Sequence, residues 1–157
     1  MTLTSLVPPH GGSPLKPLAL AGASLDAERA RAQTLRQVPV SSRERGDLIM
    51  LGIGGFTPLD GFMSRADWEG VCGDRRTATG LFWPIPITLS VDARTAGAIE
   101  EGADIALADS ENGEPLATLT GPEHYAGDQV PPCTRVLRTT RPGPRGRREV
   151  RHPAQAP

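Results

Sequence analysis

Ala103-Asp-Ile-Ala-Leu-Ala-Asp109 and Pro115-Leu-Ala-Thr-Leu-Thr120 stand on either side of an Asn112-Gly113 pair. Two short runs flanking Asn-Gly read as a β-hairpin, because that dipeptide accepts the positive φ a tight turn requires. The connection is somewhat longer than two residues. Upstream, Leu81-Phe-Trp-Pro-Ile-Pro-Ile-Thr-Leu-Ser-Val91 carries Leu81, Trp83, Ile85, Ile87, Leu89 and Val91 at every odd position, with Phe82 as the exception. This period of two predicts a strand with one buried face. Pro84 and Pro86 lack N–H groups on one side of it, which places its first half at a sheet edge. Asp92 is positioned to cap a short helix near 93–101, and from Gly121 onward the pattern dissolves.

Toward the N-terminus the signals are helical. Ser41-Ser42-Arg43-Glu44 fits a capping box opening a helix that runs through Leu51 and stops at Gly52. Gly46 inside it costs roughly 1 kcal/mol relative to alanine, so this helix depends on tertiary packing. Ser64-Arg65-Ala66-Asp67 opens a second helix with Trp68, Val71 and Cys72 on one face and Gly73 as its stop. Ser24 is a candidate cap for a helix over about 25–36, with Asp26 and Glu28 near its positive end. Val38-Pro39-Val40 is extended, because the residue before proline avoids the α region. Pro9-His10-Gly11-Gly12 signals a tight turn.

The chain of 157 residues suits one domain with one core. Its 18 Gly and 16 Pro are about twice average usage, so elements should be short and connections plentiful. Cys72 and Cys133 belong to no ligand cluster, which leaves zinc and dithiol redox chemistry unsignalled. No run approaches the ~18 apolar residues of a membrane span and the N-terminus has no leader pattern, so a cytoplasmic protein is expected. Residues 1–132 hold ten Lys/Arg against 17 Asp/Glu, whereas residues 133–157 hold seven Arg and one Glu. An acidic body therefore precedes a basic tail.

Five of the six aromatic residues (Phe56, Phe62, Trp68, Phe82, Trp83) fall within 28 consecutive positions. They are read as a core in which Phe56, Phe62, Trp68 and Trp83 pack a helix–turn–helix unit against the 81–91 strand. Gly52-Ile-Gly-Gly55 is glycine-rich but follows a helix, whereas a phosphate cradle follows a strand and opens a helix. His10 has no nucleophile or carboxylate near it in sequence and reads as turn-stabilising or interdomain. Asp104, Asp109, Glu111 and Glu114 read as solvated carboxylates of the hairpin before they read as a metal site.

Three stretches together resemble one family. Pro9-His-Gly-Gly12, then Arg43 and Asp47-Leu48 leading into Gly54-Gly-Phe-Thr-Pro-Leu-Asp-Gly-Phe-Met63, then Trp83-Pro-Ile-Pro-Ile-Thr-Leu89, look like the N-terminal portion of ATP sulfurylase (sulfate adenylyltransferase). Ala106-Leu107, Gly113-Glu-Pro-Leu-Ala117 and Tyr125 continue it in order, so it covers about residues 5–139. Thr57 replaces the more usual serine and keeps the hydroxyl. The resemblance implies an α+β fold, a PUA-like domain of a small bent β-sheet or partial barrel with short packed helices, over residues 1–134. In that family a further domain joins sulfate to the α-phosphorus of ATP with magnesium, releasing pyrophosphate. Its Gln-x-Arg-Asn run, paired histidines and Gly-Arg-Asp-His loop have no counterpart here. His10, His124 and His152 are too dispersed, and no glutamine begins such a run. No catalytic, cofactor-binding or metal residue is therefore assigned in this chain.

The Arg/Pro-rich residues 135–157 leave three readings open: an RNA-binding arm, a neutral disordered end, or a reading frame lost near residue 140. Sixteen of the 17 basic residues are Arg, which fits out-of-frame reading of a GC-rich gene. The expected function is the non-catalytic N-terminal domain of a sulfate adenylyltransferase, as a fragment or one half of a split enzyme. Its expected partners are a separately encoded catalytic domain and further copies of itself, with no membrane and no nucleic acid. The alternative is a small RNA-binding PUA-like module using the basic tail. The acidic body and the absence of aromatics in that tail speak against it.

Overall fold

The computed structural model describes residues 7–123 and Tyr125. A single 3-10 turn at His10–Gly12 leads into an extended arm. The elements that follow are α1 (Gly22–Ala32), β1 (Arg36–Val40), α2 (Ser42–Gly52), α3 (Arg65–Asp74), α4 (Ala93–Gly97), β2 (Ile105–Asp109) and β3 (Pro115–Leu119). The α+β class expected from the sequence holds. The sheet has three strands in the order β1-β2-β3, with β1 parallel to β2 and β3 antiparallel to it.

β2 is the centre of the molecule, and all five of its residues are buried. A strand covered on both faces reads as a continuous small and apolar run, which Ile105-Ala-Leu-Ala108 provides. Ile105 and Leu107 join Val38 and Val40 of β1 and Ile99 in one core, against which Leu48, Phe62, Leu89, Val91, Ala117 and Leu119 pack. The hairpin forms as read. Gly113 takes φ 73°, and the loop closes through Gly113 N–H to the Asp109 carbonyl at 2.8 Å and Asp109 N–H to the Glu114 carbonyl at 2.9 Å.

The capping signals at 41–44 and 64–67 are confirmed. Ser41 Oγ accepts from Glu44 N–H at 3.3 Å while Ser41 N–H donates to Glu44 Oε2 at 2.8 Å, so both halves of the box are made. Ser64 Oγ accepts from Asp67 N–H, and Asp92 Oδ1 accepts from Thr95 N–H at 2.8 Å. The helix after Asp92 is shorter than expected and ends at Gly97.

Two helix boundaries differ from expectation. α1 starts at Gly22 behind Ala21 with no side-chain cap, so Ser24 lies inside it, and it ends at Ala32. It stops early because pairing of Arg36 with Ile105 draws the chain into the sheet, and the Gln37 amide takes over the Ala32 carbonyl at 2.7 Å. α3 continues through Gly73 to Asp74, and the left-handed residue after it is Arg75, φ 56°. The glycine that this turn requires is Gly70. A Cβ there would run into the Arg76 carbonyl oxygen as the chain folds back.

The strand expected over 81–91 is not one. Its ladder is reduced to an isolated bridge between Arg76 and Phe82. Trp83 and Ile87 are buried as the alternation requires, but Ile85 is 51% exposed. Pro84 and Pro86 remove two ladder donors, and the remaining polar groups find other partners. The Ile87 carbonyl accepts from Met63 N–H at 2.8 Å, the Thr88 carbonyl accepts from Arg43 Nη2 at 3.1 Å, and Ser90 N–H donates to Glu44 Oε1 at 2.7 Å.

The aromatic concentration makes a second core of Met63, Val71, Trp83 and Ile87, with Phe56, Leu59 and Phe62 packed on it. The Phe56 ring meets Trp83 edge-on at 6.1 Å. Trp68 was expected in this group, but its ring lies 5.7 Å from Tyr125. Phe62 packs on both cores and joins them.

Truncating Leu107 to alanine should cost about 2–5 kcal/mol in urea unfolding, because both faces of β2 are covered. Ser41→Ala should cost about 1 kcal/mol through the lost cap. Leu15→Ala, at a side chain 60% exposed, should leave the transition within about 0.5 kcal/mol.

Candidate functional site

His10 acts as a clasp. Its Nε2–H donates to the Phe82 carbonyl at 2.7 Å, and its ring stands 5.8 Å from that of Trp83. The following Gly11 takes φ 80°, and a Cβ there would come within 3.3 Å of Leu81. The turn thus pins the arm to residues 81–83, and a carbonyl and an indole give the imidazole no proton relay.

The glycine run at 52–55 spends its amides on the helix behind it. Ile53 N–H donates to the Ile49 carbonyl at 3.0 Å, Gly54 N–H to Leu51 at 3.1 Å and Gly55 N–H to Met50 at 2.7 Å. A phosphate cradle needs free N–H groups at a helix N-terminus. Here the run closes a C-terminus, whose dipole end is negative. Gly54 has a packing role: at φ +78° a Cβ would stand 3.0 Å from Pro17 N, where the arm crosses. Thr57 Oγ1 donates to the Gly54 carbonyl at 2.6 Å and accepts from Lys16 N–H at 3.0 Å, which accounts for a hydroxyl at this position.

The hairpin carboxylates do not converge. Asp109 is buried and pairs with Arg45 at 3.0 Å. Asp104 pairs with Arg31 and accepts from Gly121 N–H at 3.1 Å, while Glu111 and Glu114 are exposed. Among the described residues no group of three or more His, Cys, Asp or Glu is placed to share a metal. His124, Cys133 and the basic tail, with the RNA-binding reading that rests on it, lie outside the described residues.

The structure does bring together an apolar groove of about 340 Å³ bounded by the arm, α1, α2 and β3. Leu51, Phe62 and Leu107 contribute to its wall, and Glu28, Arg29 and Thr118 supply polar groups. Thr118 Oγ1 donates to Glu28 Oε1 at 2.6 Å, and Arg31 Nη1 donates to the same oxygen at 2.6 Å. The Thr118 hydroxyl, followed by Arg31, holds the Glu28 carboxyl below its ordinary range. Arg31 does the same for Asp104. At α2, burial pushes the Asp47 carboxyl up, although Arg43 stands 3.0 Å away and pulls the other way. Glu28, Thr118 and Arg31 thus orient one another beside a mostly apolar groove. Sequence reasoning did not find it, because its residues come from six separate segments and only the fold assembles them.

The family model of a PUA-like domain matches residues 7–156. The chain is 53% identical over 138 residues to the sulfate adenylyltransferase of Thiobacillus denitrificans, a match covering 88% of this chain and 34% of that protein. With the sulfate adenylyltransferase of Syntrophobacter fumaroxidans the identity is 54% over 138 residues, 87% of this chain and 34% of the relative. With that of Ruthia magnifica it is 46% over 151 residues, 96% and 35%. The chain spans about a third of the length of these relatives, in their N-terminal part. Among solved structures, a chain described as a hexameric APS kinase from Thiobacillus denitrificans superposes with a TM-score of 0.65 at 35% identity, covering 73% of this chain and 23% of that one. These relatives do not favour the RNA-binding alternative.

A lowered carboxyl stabilises the fold above its unfolded pKa, and that contribution is lost as pH falls through the lowered folded value. Glu28 and Asp104 should therefore make stability decline on the acid side. Thr118→Val should move the Glu28 titration upward toward the ordinary range, read by NMR of its side-chain carboxyl, and leave Asp104 below its ordinary value.

Proposed function

The chain belongs to the PUA-like domain family, and from that premise we propose that it serves as the non-catalytic N-terminal domain of a sulfate adenylyltransferase. The observation that carries this reading is the pattern of identity. About half of the residues are identical over nearly nine-tenths of this chain, yet only 34% of the Thiobacillus denitrificans relative is matched. The part that aligns has no Gln-x-Arg-Asn run and no paired histidines. Its conspicuous polar groups, His10, Thr57, Glu44 and Arg43, are engaged in holding the domain together.

On this reading ATP, magnesium and sulfate are handled by the portion of the enzyme that the relatives carry beyond the shared region, and this domain is the scaffold it stands on. The chain is then a fragment or one half of a split enzyme, working in the cytoplasm beside its partner. Association of several copies is part of the proposal and is supported by the hexameric description of the structural neighbour.

The purified chain, given ATP, magnesium and sulfate, should release no sulfate-dependent pyrophosphate above the protein-free background. Sustained release that survives further purification and scales with the chain's concentration would refute the scaffold reading.

A further inference from the structure

β3 is bonded on one side only. Its neighbour in the sheet is β2, and among the described residues none of its N–H or C=O groups is bonded outside that ladder. All five consecutive residues, Pro115 to Leu119, line the groove beside it. Successive side chains of a strand point to opposite faces, so a groove that meets all five runs along the free edge. An open row of backbone donors and acceptors beside an apolar trough is the arrangement by which sheets capture an added strand.

The free edge of β3 selects a strand over a helix: its unpaired N–H and C=O groups, spread over about 17 Å, need a partner whose backbone groups are open, and a helix has already spent its own internally. Leu116 at the edge, 41% exposed, and Leu20 and Leu25 across from it, 48% and 37% exposed, are apolar groups that such a strand would cover.

We propose that this edge and groove accept one extended strand with apolar side chains on the face turned toward the groove, supplied by the portion of the relatives' polypeptide that lies beyond the region shared with this chain. The inference rests on the reading of this chain as the scaffold domain of a larger enzyme. Its supports are the relatives' length, about two-thirds of which has no counterpart here, and the place where the described chain ends. Tyr125, the last described residue, donates its hydroxyl to the Met63 carbonyl at 3.1 Å, and Met63 follows Phe62 of the groove wall.

Hydrogen exchange on two intact proteins tests it: this chain, and the full-length sulfate adenylyltransferase of Thiobacillus denitrificans. The amides among residues 116–119 that face away from β2 should exchange at nearly the unprotected rate in this chain, and at least about a hundredfold more slowly at the aligned positions of the relative. Leu116→Lys should leave this chain's circular dichroism unchanged, while the aligned substitution in the relative should restore fast exchange on that edge. Equal, fast exchange in both proteins overturns the strand. Slow exchange in this chain at every concentration assigns the edge to its own residues, and protection that grows with concentration assigns it to a second copy; either result overturns the proposal. The pyrophosphate assay stays independent of all these outcomes, so failure here leaves the scaffold reading to be judged separately.

Discussion

The fold turns on one buried carboxylate. Glu44 is 3% exposed, and a polar group buried that far needs hydrogen-bond partners around it. Its Oε2 accepts from both the backbone N–H and the hydroxyl of Ser41, at 2.8 and 2.7 Å, and its Oε1 accepts from Ser90 N–H at 2.7 Å. Arg43 stands 3.6 Å from Oε1 and reaches the Thr88 carbonyl. The same two residues therefore start α2 and hold the 88–90 segment against it. That segment carries Leu89 and Val91 onto the core and continues into Asp92, the cap of α4. One cap signal thus sets the position of much that follows it.

This node also explains where the sequence could and could not be read. Signals local to a few residues were legible: the capping box at Ser41, the side-chain caps at Ser64 and Asp92 and the Asn112-Gly113 turn. Each is settled within one turn of chain, where side-chain and backbone partners are four residues apart or fewer. The alternation over 81–91 was real as a burial pattern at Trp83 and Ile87, but it did not make a strand, because a ladder needs a neighbour. β1 occupies the parallel position beside β2, and side chains of α2 supply the donor to the Thr88 carbonyl and the acceptor for the Ser90 N–H. Parallel pairing of β1 with β2, 69 positions apart in register from Arg36 to Ile105, has no local signature. For the same reason α1 was placed about three residues too late, since its end is decided by when β1 enters the sheet.

The candidate site was the least legible part, and the reason is chemical. Catalytic sites advertise themselves through residue types that interiors otherwise avoid, such as paired histidines or clustered acids, and here the glycine run, His10 and the hairpin acids all proved to be engaged in packing, capping or ion pairs. The groove beside β3 is built mainly from leucines, alanines and a phenylalanine, which any core uses. Its meaning comes from where they are left uncovered, and that is a property of topology.

The two edges of the sheet are treated differently, and this asymmetry extends the point. β1 carries Pro39, which removes a donor from its row, and the Gln37 side chain folds back onto the carbonyls of Ala32, at the end of α1, and of Leu35. These are the means by which a sheet discourages further pairing. β3 has proline only at its first position, where it costs the ladder least, and beyond it come Leu-Ala-Thr-Leu with no charge and no bulge on the outer side. Its one irregularity lies between Leu107 and Ala108 of β2, in the ladder it already makes. A protein selected to end its sheet at β3 would guard that edge as it guards the other. An unguarded edge beside an apolar groove is what is expected of a domain whose sheet is completed by polypeptide beyond the region this chain shares with its relatives.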